Sequence, residues 1–319
     1  MILVAFAVTF ATALGVAIDR RSERARPAAG VCLKGMLYGL IPFVAFVNFA
    51  HLKLTVGAGV GLGVAYCGLA LTGFLAYVIG RRLGLARPSL GAVMIAAVVV
   101  NTGYLGYPAA VALLGHGALT HAVAYDQLVT GPFLFTAGFG IGAAFGERPA
   151  PVLDTSEDSL DAAPEDSGVR PNRWRTFAIN PPLWAGIAGL IGGPAVAPHA
   201  LVVISDKLID AFLVVGFITV GTYLSSERRE EGVPLFQRPD RPVLVAIGLR
   251  FTVTVALLGA AALAGLAIPS AYLLQAVMPS GVNGLIVGHS FGLDQHLLST
   301  AIVWSTIAAL AVTLVIYAT

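Results

Sequence analysis

Charge is what this chain has least of. Only 11% of its 319 residues are Asp, Glu, Lys or Arg, while 57% are hydrophobic and the mean hydropathy is +0.85. A water-soluble core of that length has no way to hide so much apolar surface, so the composition describes a polytopic membrane protein. Cysteine is nearly absent too. The two present, Cys32 and Cys67, sit in or beside apolar segments with no CxxC or Cys/His spacing, which argues against a metal or redox centre and reads both as small buried hydrophobes. No HExxH, GxSxG or pair of catalytic Asp lies within the apolar segments, which counts against an intramembrane enzyme. The net charge of +2 forms no nucleic-acid face, because the basic residues gather in particular loops. The N-terminus is apolar from its first residue and lacks a basic n-region and a clear small-x-small site before Asp19-Arg20-Arg21. It reads as a retained helix rather than a signal peptide.

What is present is a series of apolar runs of spanning length. They run roughly from 1 to 18, 30 to 50, 55 to 80, 89 to 114, 120 to 145, 177 to 193, 200 to 225, 241 to 265, 270 to 292 and 297 to 318. Between the fifth and sixth lies the longest polar segment, residues 147 to 176, with Asp154, Glu157, Asp158, Asp161, Glu165 and Asp166 among Pro, Ser and Ala. It reads as a linker separating a first repeat, 1 to 146, from a second, 177 to 319.

The basic residues set an orientation. Alternate loops hold Arg20, Arg21, Arg24, Arg26 and Lys34; Arg81, Arg82 and Arg87; Arg148, Arg170, Arg173 and Arg175; and Arg228, Arg229, Arg238 and Arg241, which is 16 of the 19 Lys and Arg. By the positive-inside rule the linker is cytoplasmic and both termini face outward. Five helices per half make the second half enter the membrane in the opposite direction to the first, so the expected fold is all-α, with ten transmembrane helices in two inverted five-helix repeats.

Two of these runs are interrupted. One contains Asn101-Thr102-Gly103-Tyr104-Leu105-Gly106-Tyr107-Pro108 and the other Met278-Pro279-Ser280-Gly281-Val282-Asn283-Gly284. Proline removes a backbone donor and clashes with the preceding turn, and in lipid every freed N–H or C=O needs another partner. Tyr104 and Gly281 are 177 residues apart, against 176 from Met1 to Phe177, so the breaks fall in the fourth helix of each half. Paired breaks at corresponding positions point to a transporter substrate site.

These segments, with Asn180-Pro-Pro-Leu-Trp-Ala-Gly186, Gly216 to Leu224 and Gly292-Leu-Asp294, resemble the auxin efflux carrier family, which includes the plant PIN-FORMED carriers and many bacterial permeases. The order and spacing of the motifs cover nearly the whole chain. The chain departs from that pattern after Arg250, where Phe251 to Thr254 stand in place of an early proline, and its linker is short, so plant-type phosphoregulation does not carry over. The resemblance implies that the broken fourth and ninth helices cross near the membrane centre. It also implies a scaffold that forms a homodimer and a mobile bundle that carries a small organic anion, of carboxylate type, between the two faces by alternating access. Location in the plasma (inner) membrane follows from the same resemblance.

The residues at the breaks suit such an anion. Unwound segments expose N–H groups, and half-helix N-termini carry partial positive charge, so two breaks can hold a carboxylate without a full countercharge. Asn101 and Asn283 add amides, Thr102 and Ser280 add hydroxyls, Gly103 and Gly106 permit close approach, and Pro108 and Pro279 enforce the breaks. The plain alternative for the two amides is capping of broken helix ends. Arg250 stands about nine residues beyond Arg241, roughly 13 Å into the membrane, where a cation faces either the anion or a scaffold carboxylate. Asn48 is a candidate contact from the second helix, or an interhelical hydrogen bond. Coupling and gating candidates are Asp126 and Gln127, the group Asp206, Lys207 and Asp210, which a helix places on one face, and His289 beyond the second break. No cofactor is expected, only H+ or Na+ as a coupling ion. The expected partners are the organic anion, the lipid bilayer and a second copy of the chain, with no nucleic acid. A sodium- or proton-coupled carrier of the bile-acid symporter or cation antiporter type is the related alternative, and a non-transporting ligand sensor the more distant one. A cation antiporter calls for paired acids at the crossing, where this chain has Asn and small residues.

Overall fold

The computed structural model describes residues 2–22, 25–53, 55–147, 181–230 and 237–318, so the central linker lies almost wholly outside the described residues. Among these the chain is helical, with no strand beyond one isolated bridge. In order, the helices are α1 (Ile2–Arg21), α2 (Ala25–Gly35), α3 (Ile41–Ala50), α4 (Val56–Arg82), α5 (Arg87–Val98), α6 (Tyr107–Leu114), α7 (His116–Phe145), α8 (Pro181–Gly192), α9 (His199–Glu230), α10 (Arg241–Leu263), α11 (Ser270–Ala276), α12 (Asn283–Phe291) and α13 (Gln295–Ala318). Three of them, α4, α7 and α10, are long and apolar enough to cross a membrane. The apolar run 89 to 114 is divided between α5 and α6, and the run 270 to 292 between α11 and α12.

Local chemistry explains where the helices begin and where they widen. Thr55 caps α4 by accepting from the Ala58 N–H at 3.1 Å, Asp240 caps α10 from Val243 at 3.1 Å, and Asp294 accepts from Leu297 at 3.0 Å in the first turn of α13. Three of the four wide turns among the described residues precede prolines, the fourth being Leu134–Gly138. Turns with i to i+5 bonding span Met36–Leu40, Thr102–Gly106 and Asp126–Thr130, each two residues ahead of Pro42, Pro108 or Pro132. A proline cannot donate to the carbonyl four residues back and its ring crowds that carbonyl, so a widened turn absorbs the mismatch without ending the helix. Pro42 therefore marks a π turn between α2 and α3.

The main core is formed by α4, α5, α7, α10, α12 and α13, with Leu69, Ile95, Tyr125, Leu258, Leu285 and Leu298 fully buried. A second cluster joins α3, α6, α7 and α9 through Val44, Phe49, Tyr107, Leu119 and Ile209. Large apolar side chains such as Phe74, Trp184, Val203 and Leu244 face outward, the arrangement of a helix bundle whose outer solvent is hydrocarbon. Cys67 is exposed on α4 and Cys32 only half-buried, so the expectation of two buried thiols needs correction: lipid, rather than protein, is what an apolar Cys67 meets. Two helix pairs approach closely through glycine. A Cβ on Gly15 of α1 would lie 2.1 Å from the Ile218 carbonyl of α9, and one on Gly189 of α8 would lie 2.1 Å from the Phe46 carbonyl of α3.

Candidate functional site

The two interruptions meet. Val99 to Asn101, after α5, runs antiparallel to Pro279 to Gly281, after α11, with Val100 and Ser280 bridged. The Asn101 N–H donates to the Pro279 carbonyl and the Gly281 N–H to the Val99 carbonyl, both at 2.9 Å. Each break thus supplies the backbone partners that the other lost, which is how irregular backbone survives deep inside a protein. The approach is close enough to demand glycine. A Cβ on Gly281 would sit 2.8 Å from the Val100 oxygen.

Four half-helix ends converge on this crossing. The C-terminal ends of α5 and α11 are bound by Arg250, which is fully buried on α10 and donates to the Ala97 carbonyl at 3.2 Å and the Ala276 carbonyl at 2.7 Å. Each helix C-terminus carries roughly half a negative charge, so one guanidinium offsets two of them. Its hydrogen-bonded neighbours are therefore backbone carbonyls rather than a scaffold carboxylate. The other two ends, the π turn Thr102–Gly106 leading into α6 and the start of α12, present first-turn N–H groups that have no intrahelical acceptor.

Asp126 of α7 lies against the first break. Its Oδ1 accepts from the Thr102 hydroxyl, and its Oδ2 accepts from the Tyr107 hydroxyl at 2.6 Å and Gln127 Nε2 at 2.9 Å. Gln127 also reaches the Tyr107 oxygen at 3.3 Å. Gly103 lies beside this carboxylate, where a Cβ would stand in ordinary contact, 3.7 Å from Oδ2. Asn101 is buried and its Oδ1 accepts from the Leu105 N–H at 3.2 Å, capping the π turn.

At the second break the bonds run to backbone. Ser280 donates from its hydroxyl to the Ala96 carbonyl at 2.6 Å, and its N–H donates to Ser305 Oγ of α13 at 3.1 Å. Asn283 is half-buried at the start of α12, and its amide makes no hydrogen bond among the described residues. Pro108 and Pro279 are both buried beside their breaks.

Three participants have no signal of their own in the sequence. Gln275, fully buried in α11, donates to the Thr102 carbonyl at 3.2 Å and the Ala122 carbonyl at 3.1 Å, tying the second broken helix to the first break and to α7. It presses on Gly106, where a Cβ would come within 1.9 Å of its Oε1. Tyr107 and Ser305 are the others. Tyr107 is adjacent to Pro108 and reads as ordinary apolar sequence until its hydroxyl is seen on Asp126.

The remaining candidates lie away from the crossing. Asn48 joins three helices: Nδ2 donates to the Val44 carbonyl at 2.9 Å and to Ser205 Oγ of α9 at 3.4 Å, and Oδ1 accepts from the Thr120 hydroxyl of α7 at 3.0 Å. Asp206 pairs with His116 at 3.4 Å, joining the start of α9 to the start of α7. Lys207 is exposed, the Asp210 side chain lies outside the described residues, and His289 is exposed on α12.

No protein-family model matches the chain. It is similar to an uncharacterized transporter of Methanothermobacter thermautotrophicus, 28% identical over 255 residues that cover 75% of this chain and 71% of that protein. That similarity, with three helices able to cross a bilayer, supports a membrane transporter in general terms and is consistent with a non-enzymatic role.

Proposed function

We propose that the chain is a secondary transporter of small organic anions, working by alternating access around the crossed breaks, and that it is a carrier of the auxin efflux type. The observation that carries this reading is the antiparallel bridge between Val100 and Ser280, which brings two broken helices into contact and leaves two half-helix N-termini at the crossing. Such ends attract an anion without a fixed cation, and an anion held that way is able to leave. Asn101, Thr102 and Gly103 at the first break, and Ser280 and Asn283 at the second, are the proposed substrate-binding residues, with Gly106, Pro108 and Pro279 shaping the breaks. Arg250 acts here through the helix ends it binds.

An inverted repeat of ten spans accounts for the packing. α1 packs on α9 and α8 on α3, while α4 pairs with α10. The two glycine contacts repeat at nearly one offset: Gly15 to Gly189 is 174 residues, and Phe46 to Ile218 is 172. In this reading α1 to α3 with α8 and α9 form the dimerising scaffold, and the helices around the crossing form the mobile bundle. The Asn48–Thr120 and His116–Asp206 contacts then lie between the two, as candidates for gating together with Lys207, Asp210 and His289. The charge distribution supports a cytoplasmic linker with both termini outside, and the resemblance to the auxin efflux carriers supports the plasma membrane.

The test is uptake of labelled mono- and dicarboxylates, indole-3-acetate and malate among them, into proteoliposomes. Saturable uptake that Asn283→Ala abolishes supports the carrier. Sodium or proton flux without any carboxylate uptake overturns it in favour of a cation antiporter, and binding without flux in favour of a sensor.

A further inference from the structure

Asp126 is an ionisable group inside an apolar helix long enough to cross a membrane, and among the described residues no Lys, Arg or His is paired with it. Arg250 is engaged with the Ala97 and Ala276 carbonyls. The titratable groups nearest it on the elements packed around it are Tyr104 and Tyr107 at the first break, Tyr66 and Cys67 on α4, His121 and Tyr125 on α7 itself and Tyr272 on α11, which packs against Tyr125; α8 brings none. An uncompensated carboxylate at membrane depth is costly, and a group kept there at that cost is a candidate for a charge that comes and goes.

The contacts discriminate between the possible charges. Three hydrogens already point at the carboxylate: Thr102 O–H on Oδ1, and Tyr107 O–H and Gln127 N–H on Oδ2. Two donors fill the lone pairs of Oδ2, and Oδ1 keeps one free. A sodium ion needs several oxygen ligands and would have to turn these donors away. A proton needs only the free lone pair, and the Asp126 side chain is partly exposed.

We propose that Asp126 is the proton-coupling group of this carrier and that the Thr102 hydroxyl transmits its protonation state to the substrate. A hydronium ion gives up a proton to Oδ1 and leaves as water, and the new carboxyl O–H, turning about its C–O bond, donates to Thr102 Oγ. The Thr102 hydroxyl hydrogen, until then directed at Asp126, rotates about the Cβ–Oγ bond to a new acceptor. A substrate carboxylate at the first-turn N–H groups of Thr102 and Gly103 is that acceptor. No bond other than the carboxyl O–H is made, and the proton leaves by the same route on the opposite side. Proton and anion therefore strengthen each other's binding by the same factor, and a monocarboxylate moves with its proton as an uncharged pair. Gln275 supports the switch by holding the Thr102 carbonyl while the side chain turns.

This rests on the carrier reading, and the experiment separates the two. Wild-type proteoliposomes are given labelled indole-3-acetate or malate with an inward proton gradient, an inward sodium gradient or neither. The expected result is that the proton gradient alone drives accumulation; for indole-3-acetate, about tenfold per pH unit is the limit for one proton per anion, each tenfold being one unit of the logarithmic scale. Asp126→Asn should bring the ratio of uptake with and without the gradient to one, whatever its absolute rate. Thr102→Val should do the same, and Thr102→Ser, which keeps the hydroxyl, should restore the ratio. Should the Asp126 variant fail to fold, the wild-type protein suffices: adding indole-3-acetate to weakly buffered protein with a pH indicator should show proton uptake accompanying anion binding. Sodium-driven uptake, a proton-driven ratio that survives in Asp126→Asn, or anion binding without proton uptake overturns the proton assignment and leaves the carrier standing. No binding or transport of either carboxylate by the wild type overturns the carrier reading itself.

Discussion

The two breaks do the same geometric job with different chemistry. At the first, a carboxylate faces the unwound turn: Thr102 and Tyr107 donate to Asp126 from side chains, and Gln127 completes the set. At the second, hydroxyls bind backbone: Ser280 holds the Ala96 carbonyl and takes Ser305 as an acceptor for its N–H. In the proposed inverted repeat these positions correspond, Thr102 and Ser280 being 178 residues apart and Asp126 and Ser305 179 apart. A repeat that kept both halves alike would place two carboxylates at one crossing, where like charges oppose each other. On the proton-coupling proposal one half keeps the ionisable group and the other neutral hydroxyls, and the second break serves as the reference against which the first changes state.

Arg250 is shared by both halves, and its removal should have the largest effect. Replacing it by Leu leaves the Ala97 and Ala276 carbonyls without their charged donor and two helix C-termini without a countercharge, for a loss of about 3 to 5 kcal/mol. The measurement is thermal unfolding in detergent beside carboxylate binding. A steep fall in the unfolding temperature supports the clamp. Unchanged stability with lost binding would reassign Arg250 to the anion itself.

The glycines come next, and they differ in a way that sharpens the contrast. Gly281→Ala drives a methyl against the Val100 carbonyl, which belongs to the bridge and has nowhere to move, so overpacking should cost about 1 to 3 kcal/mol. Gly106→Ala meets only the end of the Gln275 side chain, whose displacement forfeits its two carbonyl contacts at about 0.5 to 1.5 kcal/mol each. The loss at Gly106 should therefore vanish when Gln275 is already replaced by Ala, while the loss at Gly281 should persist; a Gly281→Ala loss that also vanishes in that background would remove the contrast between a backbone clash and a side-chain clash.

How much of this was open to a reader of the sequence depends on range. The breaks, their prolines and the matched spacing are local, and so is the apolar run that carries each half-helix. Thr102, Ser280 and Asn101 were legible because they sit within the breaks. Arg250 was legible as an anomaly, but not in its partners. Carbonyls leave no trace in a sequence, and only the meeting of two helix ends far apart in the chain gives a buried guanidinium something to bind. Gln275 and Tyr107 were hidden for the same reason, being ordinary residues until the crossing brings Thr102 and Asp126 beside them. The π turns of α3, α6 and α7 fall between these cases: Pro42, Pro108 and Pro132 mark the disturbance, and only the backbone shows that a widened turn rather than a kink absorbs it.

The smallest expected effect is the most informative about the amides. Asn101 and Asn283 look equivalent in the sequence, one in each break, yet Asn101 spends its oxygen on the Leu105 N–H while Asn283 has no bond among the described residues. Asn101→Ala should therefore cost about 1 kcal/mol through the lost cap, and Asn283→Ala should fall within about 0.5 kcal/mol of the parent, as surface-like substitutions do. If both amides also bind the substrate, both variants weaken carboxylate binding, and dividing each loss of affinity by its loss of stability gives a much larger ratio for Asn283. Should Asn283→Ala leave binding unchanged as well, the second break contributes backbone alone, and recognition of the anion belongs to the half that carries Asp126.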